Sequence, residues 1–434
     1  MPIDSRAGVR GPARAPFPAG MLEARETAGR GQSLKGIEMG TSMTTLHLTE
    51  TSTLPCDGFA GALCARVWRP DVAGPSIVAV RANGAFDISA QFPTMRDLCE
   101  APDPALAARA APGERLASLG EILANTPPEA RDSAKPWLIA PIDLQAIKAA
   151  GVTFAASMIE RVIEERARGD SAAAAAVRAE MTRLIGADLS TLEPGSPAAM
   201  RLKEALIADG AWSQYLEVGI GPDAEIFTKS QPMSAVGAGA DAGFHGASAW
   251  NNPEPEIVVA INSKGAIVGA TLGNDVNLRD FEGRSALLLG KAKDQNASCA
   301  VGPFLRFFDA TFDLDDVRAA EVNLRVEGED GYRLEGGSSM ARISRDPLDL
   351  VRQAMGAAHQ YPDGAALFLG TMFAPVADRD APGKGFTHKQ GDVVVVSADK
   401  LGRLTNRMRH CQDCPPWNFG VGHLMRNLAR RGLI

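Results

Sequence analysis

No apolar run in this 434-residue chain is long enough to cross a bilayer, because a spanning helix needs about 20 such residues. The longest runs have the length of strands, so no membrane partner is expected. Basic runs of five or more are also missing: 45 Lys and Arg are scattered among 52 Asp and Glu, for a net charge of −7, which gives no reason to expect a nucleic-acid partner. Cysteine is scarce. The six, Cys56, Cys64, Cys99, Cys299, Cys411 and Cys414, are too dispersed for a disulfide framework and read as reduced thiols of a cytoplasmic protein. There is no internal repeat. What is present is 45% hydrophobic residues, ample for a core and for two domains.

Residues 1–43 are rich in Gly, Ala, Arg and Pro and lack a hydrophobic period, so they are expected to be a disordered N-terminal extension and not a secretion signal. Strand-like text begins with Thr44–Thr51. A first α+β domain is expected over 44–214. In it, Ile77–Val80 and Gly84–Ile88 bracket a hairpin turn, and Leu138–Pro141 is a short strand. Ser157 and Glu160 have capping-box spacing, with Phe154, Met158, Val162 and Ile163 on one helical face. Ala172–Ile185 reads as a second helix. Both apolar stripes read as core or subunit contact.

The chemistry concentrates between Glu254 and Pro303. Two β-branched runs, Ile257–Ile261 and Ala266–Leu272, flank the polar break Asn262–Gly265, a hairpin signal. Side chains alternate along a strand, so Glu254 and Glu256 share a face. A turn centred between Ser263 and Lys264 puts Glu254 opposite Gly273, with Asp275 just past that end. Three carboxylates then converge, and like charges that close raise one another's pKa. A hard divalent cation resolves the conflict. Oxygen donors without His or Cys favour Mg²⁺, with Mn²⁺ or Ca²⁺ as substitutes. The competing reading is a solvated edge-strand face, and Pro255 is compatible with it.

Gly273–Asp280, reading GNDVNLRD, together with the preceding Glu-x-Glu and the following Lys293 and Ser298–Pro303, resembles the fumarylacetoacetate hydrolase family. Glu225–Gly237 is similar to the family's entry strand and loop, and Leu369–Thr371 and Gly391–Arg407 to its closing strands. Coverage is about residues 215–408. The resemblance implies a mixed β-roll catalytic domain over 215–434 beside the smaller first domain, a divalent metal on Glu254, Glu256 and Asp275, and a homodimer or homotetramer.

It also implies roles for other residues. Glu225, directly before the strand Ile226–Lys229, resembles the active-site Glu of the family's sugar-acid dehydratases, and the His found in the lid of its hydrolases is missing here. A solvated strand-start Glu is the alternative. Lys293 falls on the family's active-site Lys when counted back from Ser298; Lys291, two residues away on a supposed strand, competes with it, and a surface Lys pair is the bland option. A Lys beside a bound cation has its pKa lowered and can act as a base. Arg279 and Glu282 stand at the family's substrate-facing offsets, and Thr371 resembles its substrate-binding Gly-Thr pair. Charge counting asks for cations: three carboxylates, a divalent metal and a keto acid leave roughly −2 to be balanced by groups such as Arg279 and a protonated Lys. His245 reads as a solvated loop residue, and Cys411 and Cys414 as thiols or a disulfide more than a metal or redox pair.

The reaction implied is dehydration of a five-carbon 2-keto-3-deoxy sugar acid, the D-xylonate or arabinonate, to 2,5-dioxopentanoate in pentose catabolism. The alternative is metal-dependent hydrolysis of a C–C bond in an acylpyruvate or fumarylpyruvate, with His245 in place of the missing lid His.

Overall fold

The computed structural model describes residues 45–174, 176–178, 192–208, 210, 212–372, 375, 377–382 and 384–434. The extension expected over 1–43 and most of the helix expected over 172–185 lie outside these residues. The strands, in chain order, are β1 (Ala62–Arg69), β2 (Gly74–Arg81), β3 (Gly84–Asp87), β4 (Glu114–Ala117), β5 (Trp137–Ile139), β6 (Ala146–Gly151), β7 (Glu225–Ser230), β8 (Asp241–Phe244) and β9 (Asn251–Asn252). They continue with β10 (Pro255–Ile261), β11 (Ile267–Asp275), β12 (Asn277–Leu278), β13 (Cys299–Phe307), β14 (Glu321–Glu327), β15 (Arg333–Ser339), β16 (Ala365–Phe368), β17 (Val393–Ala398) and β18 (Gly402–His410).

Eleven of these form one sheet in the order β4-β3-β2-β1-β13-β11-β10-β16-β6-β7, with β5 also pairing β1. A second sheet runs β15-β14-β17-β18-β8, and β9 pairs β12. Residues 43–434 cluster as one compact unit, and the large sheet takes strands from both sides of the division expected at 214/215. Together with the helices this is an α+β fold.

The central strand β10 is buried along its whole length. Ile257, Val259 and Ile261 pack with Leu324, Val326 and Val394 of the second sheet, while Val258 faces the other way, toward Phe368, Cys299 and Val301. Burial on both faces explains why its sequence is a continuous apolar run and not an alternation. Glu254 and Glu256 are even-numbered like Val258 and therefore lie on its face of the sheet.

The β10–β11 hairpin forms between the expected runs, but its register differs from the expected one by two residues. Glu256, not Glu254, stands opposite Gly273, and Pro255 opposite Asn274. The turn is centred on Lys264, since the Asn262 N–H donates to Ala266 O, and a bulge between Ala260 and Ile261 adds a second residue of offset. Gly265 supplies the positive φ of 79° that the turn requires. A slip of one residue would have turned the carboxylates to the opposite face; a slip of two preserves it.

Two smaller expectations fail for local reasons. Residues 45–49 are irregular, and Glu50–Thr53 is a short helix whose capping box joins Thr49 and Ser52. No capping box forms at Ser157: the helix Ala155–Arg166 starts earlier, with buried Phe154 at its N-cap, and the Ser157 hydroxyl donates to Phe154 O at 2.9 Å. The apolar face is as expected, with Phe154, Met158, Val162 and Ile163 all buried.

Candidate active site

Glu254, Glu256 and Asp275 come together. Each offers a carboxylate oxygen within 4.8 Å of the others, and all three are buried. The neighbouring sequence explains the closeness. The Asn274 side chain accepts the Glu254 N–H at 3.0 Å, and the Asp275 N–H donates to Glu254 O at 2.9 Å. A Cβ on Gly273 would lie 2.3 Å from the Phe368 ring, so only glycine fits opposite Glu256. Three hard oxygen donors this close suit a divalent cation such as Mg²⁺, and among the described residues no other cluster does.

The closing Gly-Thr pair reaches the same place. The Gly370 N–H donates to Glu256 Oε2 at 2.7 Å; Gly370 has φ 101°, and a Cβ there would meet Thr153 Oγ1 at 1.9 Å. Thr371 follows, buried.

Lys293 and Lys291 do not lie on a strand. They end the short helix Leu289–Lys293, where residues two apart point to different sides. Lys293 is buried, its ammonium 2.5 Å from Glu254 Oε2 and 2.9 Å from Asp275 Oδ2. Lys291 lies over the Phe281 ring at 5.3 Å. Burial disfavours the Lys293 charge, yet Asp275, Glu254 and Glu282 together hold its pKa above the ordinary value. The expected lowering therefore requires a cation on the triad.

The carboxylates divide in the same way. Burial pushes Glu256 well above the usual range, helped by Asp275 and Glu254. Asp275 goes the other way: burial would raise it, but Lys229 and Lys293 hold it low. Glu225, at the start of β7, is half-buried and raised to about 7, by desolvation first and the Glu282 charge second. It stands opposite Gly151, whose missing side chain leaves room for the carboxyl group: a Cβ there would meet Glu225 Oε2 at 2.0 Å.

Arg279 is buried but does not reach toward the triad as a free cation. It bonds Glu164 Oε1 at 2.6 Å, Glu160 Oε2 at 2.9 Å and Pro375 O at 3.2 Å, and stacks 4.4 Å from the Trp250 ring centroid. Its fork is thus engaged by two nearby carboxylates and a carbonyl, and its charge enters the buried cluster through Glu164. Glu282 is buried and ion-paired at 3.0 Å with Arg161.

Arg161 and Lys229 are the residues that sequence reasoning passed over. Arg161 bonds Glu164 at 2.7 Å and also grips Glu254 Oε1. Lys229, completely buried, pairs with Asp275 Oδ1 at 2.8 Å. The signal for Lys229 was its place four residues after Glu225 on the entry strand, which gives it the same face. Arg161 sits on a helix about 90 residues from its partner Glu254, and nothing local announces it.

His245 is turned to its own loop, its Nδ1 accepting the Ala247 N–H at 3.0 Å and its ring 5.8 Å from Phe281. All six cysteines are free thiols, with Cys411 half-buried and Cys414 buried. A groove of about 800 Å³ outside β14, β17 and β18, lined by Asn323, Arg325, Val395, Arg403 and Thr405 among others, shares no residue with the acidic cluster.

Residues 224–409 match the fumarylacetoacetate (FAA) hydrolase C-terminal family. A probable 2-keto-3-deoxyxylonate dehydratase of Haloferax volcanii is 29% identical over 192 residues, 44% of this chain and 62% of the relative. The 2-dehydro-3-deoxy-D-arabinonate dehydratase of Saccharolobus solfataricus is 30% identical over 180 residues, 42% of this chain and 57% of the relative. The match thus spans less than two thirds of either relative. Among solved structures, a 2-keto-3-deoxy-D-arabinonate dehydratase complexed with magnesium and 2,5-dioxopentanoate aligns with a TM-score of 0.55 and 18% identity, over 80% of this chain and 99% of that one. Its apo form aligns with a TM-score of 0.54 and 19% identity over the same shares. At these identities the likeness is one of fold. No helix of the described residues is long and apolar enough to cross a membrane.

Proposed function

We propose that the protein is a hydro-lyase that removes water from a five-carbon 2-keto-3-deoxy sugar acid, the D-xylonate or the arabinonate epimer, to give 2,5-dioxopentanoate. The observation that carries this reading is the buried oxygen-only triad of Glu254, Glu256 and Asp275 with the Lys293 ammonium bridging two of its members; Glu225, raised to about 7 by burial first and the Glu282 charge second, adds a proton donor. Such a group can give a proton to a leaving hydroxyl at neutral pH. The names of the two curated relatives support the same substrate class.

Charge supports it too. Five buried carboxylates, Glu164, Glu254, Glu256, Asp275 and Glu282, face four buried cations, Arg161, Lys229, Arg279 and Lys293. With every group ionised the cluster carries one net negative charge; a divalent ion turns this into one net positive charge, which favours entry of a monoanionic acid or loss of the Lys293 proton. Glu160 is left out of this count because Arg178 matches it at 2.7 Å.

When bound at Glu254, Glu256 and Asp275, Mg²⁺ would act as a Lewis acid on the substrate's carboxylate and C2 carbonyl, making the C3 hydrogen more acidic. Lys293, once neutral, takes the C3 proton. Glu225 donates a proton as the C4 hydroxyl leaves as water, forming a C3=C4 double bond; loss of a proton from C5 and gain of one at C3 moves it to C4=C5, and the resulting enol loses its O–H proton as C4 gains one, leaving the C5 aldehyde. Thr371 would contact the substrate's carboxylate or oxygen, and Glu282 its hydroxyls. A homodimer or homotetramer is the proposed assembly.

Incubation with 2-keto-3-deoxy-D-xylonate, its arabinonate epimer and an acylpyruvate, with product mass measured, tests the reading. Formation of 2,5-dioxopentanoate from a sugar acid is expected. Cleavage of the acylpyruvate without any sugar-acid dehydration would overturn it.

A further inference from the structure

The four buried cations are not equivalent. Asp275 Oδ1 is held by Lys229 at 2.8 Å, and Lys229 is itself tied to Lys293 O at 2.5 Å, Val276 O at 3.2 Å and Ser298 Oγ at 3.4 Å. Glu254 Oε1 is held by Arg161, which is anchored in turn by Glu164 and Glu282 at 2.7 and 3.0 Å. Each of these two carboxylates thus has an outer cation fixed by groups outside the triad. The second oxygens of the pair, Glu254 Oε2 and Asp275 Oδ2, share one ammonium, that of Lys293. It donates to both, and the Phe227 ring centroid lies 5.6 Å away.

We propose that the Lys293 ammonium is a placeholder for the metal: it neutralises Glu254 Oε2 and Asp275 Oδ2 until a divalent cation displaces it, while Arg161 and Lys229 stay in place on Glu254 Oε1 and Asp275 Oδ1. This deepens the reading above and rests on the triad being a metal site. The geometry favours Lys293 as the group that leaves, because among the described residues it is the cation that bridges two candidate ligands. The Phe227 ring can receive an ammonium by a cation–π contact.

Competition predicts that removing this positive charge tightens metal binding even though it removes a catalytic group. Mn²⁺ alone, titrated into the metal-stripped full chain and followed by electron paramagnetic resonance, measures this without any substrate. Lys293→Met and Lys293→Gln are each expected to bind Mn²⁺ about tenfold more tightly than the parent, since a unit charge a few ångströms from a divalent ion is repulsive even under strong screening. Lys293→Arg, which keeps the charge, should not gain. Lys291→Met, outside the cluster, should match the parent and so exclude a general charge effect. If Lys293→Met fails to fold by circular dichroism, Lys293→Gln carries the comparison. Parental or weaker binding in the folded neutral variants, with Glu256→Gln still abolishing it, overturns the placeholder role alone; parental binding in Glu256→Gln overturns the metal site itself.

Discussion

Two regions that meet at the candidate site are built on opposite principles. The β10–β11 hairpin brings Glu254, Glu256 and Asp275 together through contacts short in sequence: one turn, one bulge and a shared strand face. The helix Ala155–Arg166 contributes Arg161, Glu164 and Glu160 from about a hundred residues away, and its charges touch Glu254, Glu282 and Arg279 only after the chain has folded. The hairpin gathers like charges, which is costly without a cation. The helix supplies an opposite charge, which makes the gathering tolerable. Local structure thus creates the functional conflict, and tertiary structure contains it.

The largest expected effect falls on the hairpin. Stripping the metal with a chelator should abolish turnover and added Mg²⁺ should restore it, while Asp275→Asn or Glu256→Gln should lower kcat by roughly 10³-fold or more. Glu256→Gln should nonetheless fold: burial already disfavours the Glu256 charge, and an amide oxygen can still accept the Gly370 N–H. Full activity in a metal-free sample would break the contrast.

Next come the two residues flanking the triad. Lys293→Met should stop both dehydration and exchange of the C3 hydrogen with deuterated solvent. Glu225→Gln should cost about 10²–10⁴-fold in dehydration but leave exchange measurable. The reverse pattern would exchange their roles. The pH profile is a second check: because Glu225 acts in its protonated form, kcat should fall as pH rises through about 7, and the residual activity of Glu225→Gln should lose that limb.

The helix predicts a stability effect. Arg161→Leu leaves Glu164, Glu254 and Glu282 without their shared cation, and breaking a buried charge cluster from one side costs about 3–5 kcal/mol, measurable by urea unfolding. Arg161→Lys should recover part of it, because an ammonium keeps the charge but not the fork. A change under 1 kcal/mol for Arg161→Leu would mean that the helix does not contain the repulsion. The smallest effect belongs to Lys291→Met, within about 0.5 kcal/mol in stability, as for other surface changes, and with unchanged kcat.

The sequence by itself determined the carboxylates. A period-2 strand fixes which side chains share a face, so the Glu-x-Glu and Asn-Asp text predicts their convergence, and a register error of two residues leaves that conclusion standing because it preserves parity. Family-like motifs marked Lys293, Glu225 and Thr371 for the same reason: short, rigid spacing around a turn or strand. Tertiary structure alone decided the charge balance. Whether Arg279 faces a ligand or Glu160 and Glu164, whether Lys293 is on a strand or ends a helix, and which cation grips Glu254 all depend on contacts between distant segments. Spacing cannot encode them, since a buried charge takes the partner that packing brings to it, wherever in the chain that partner lies.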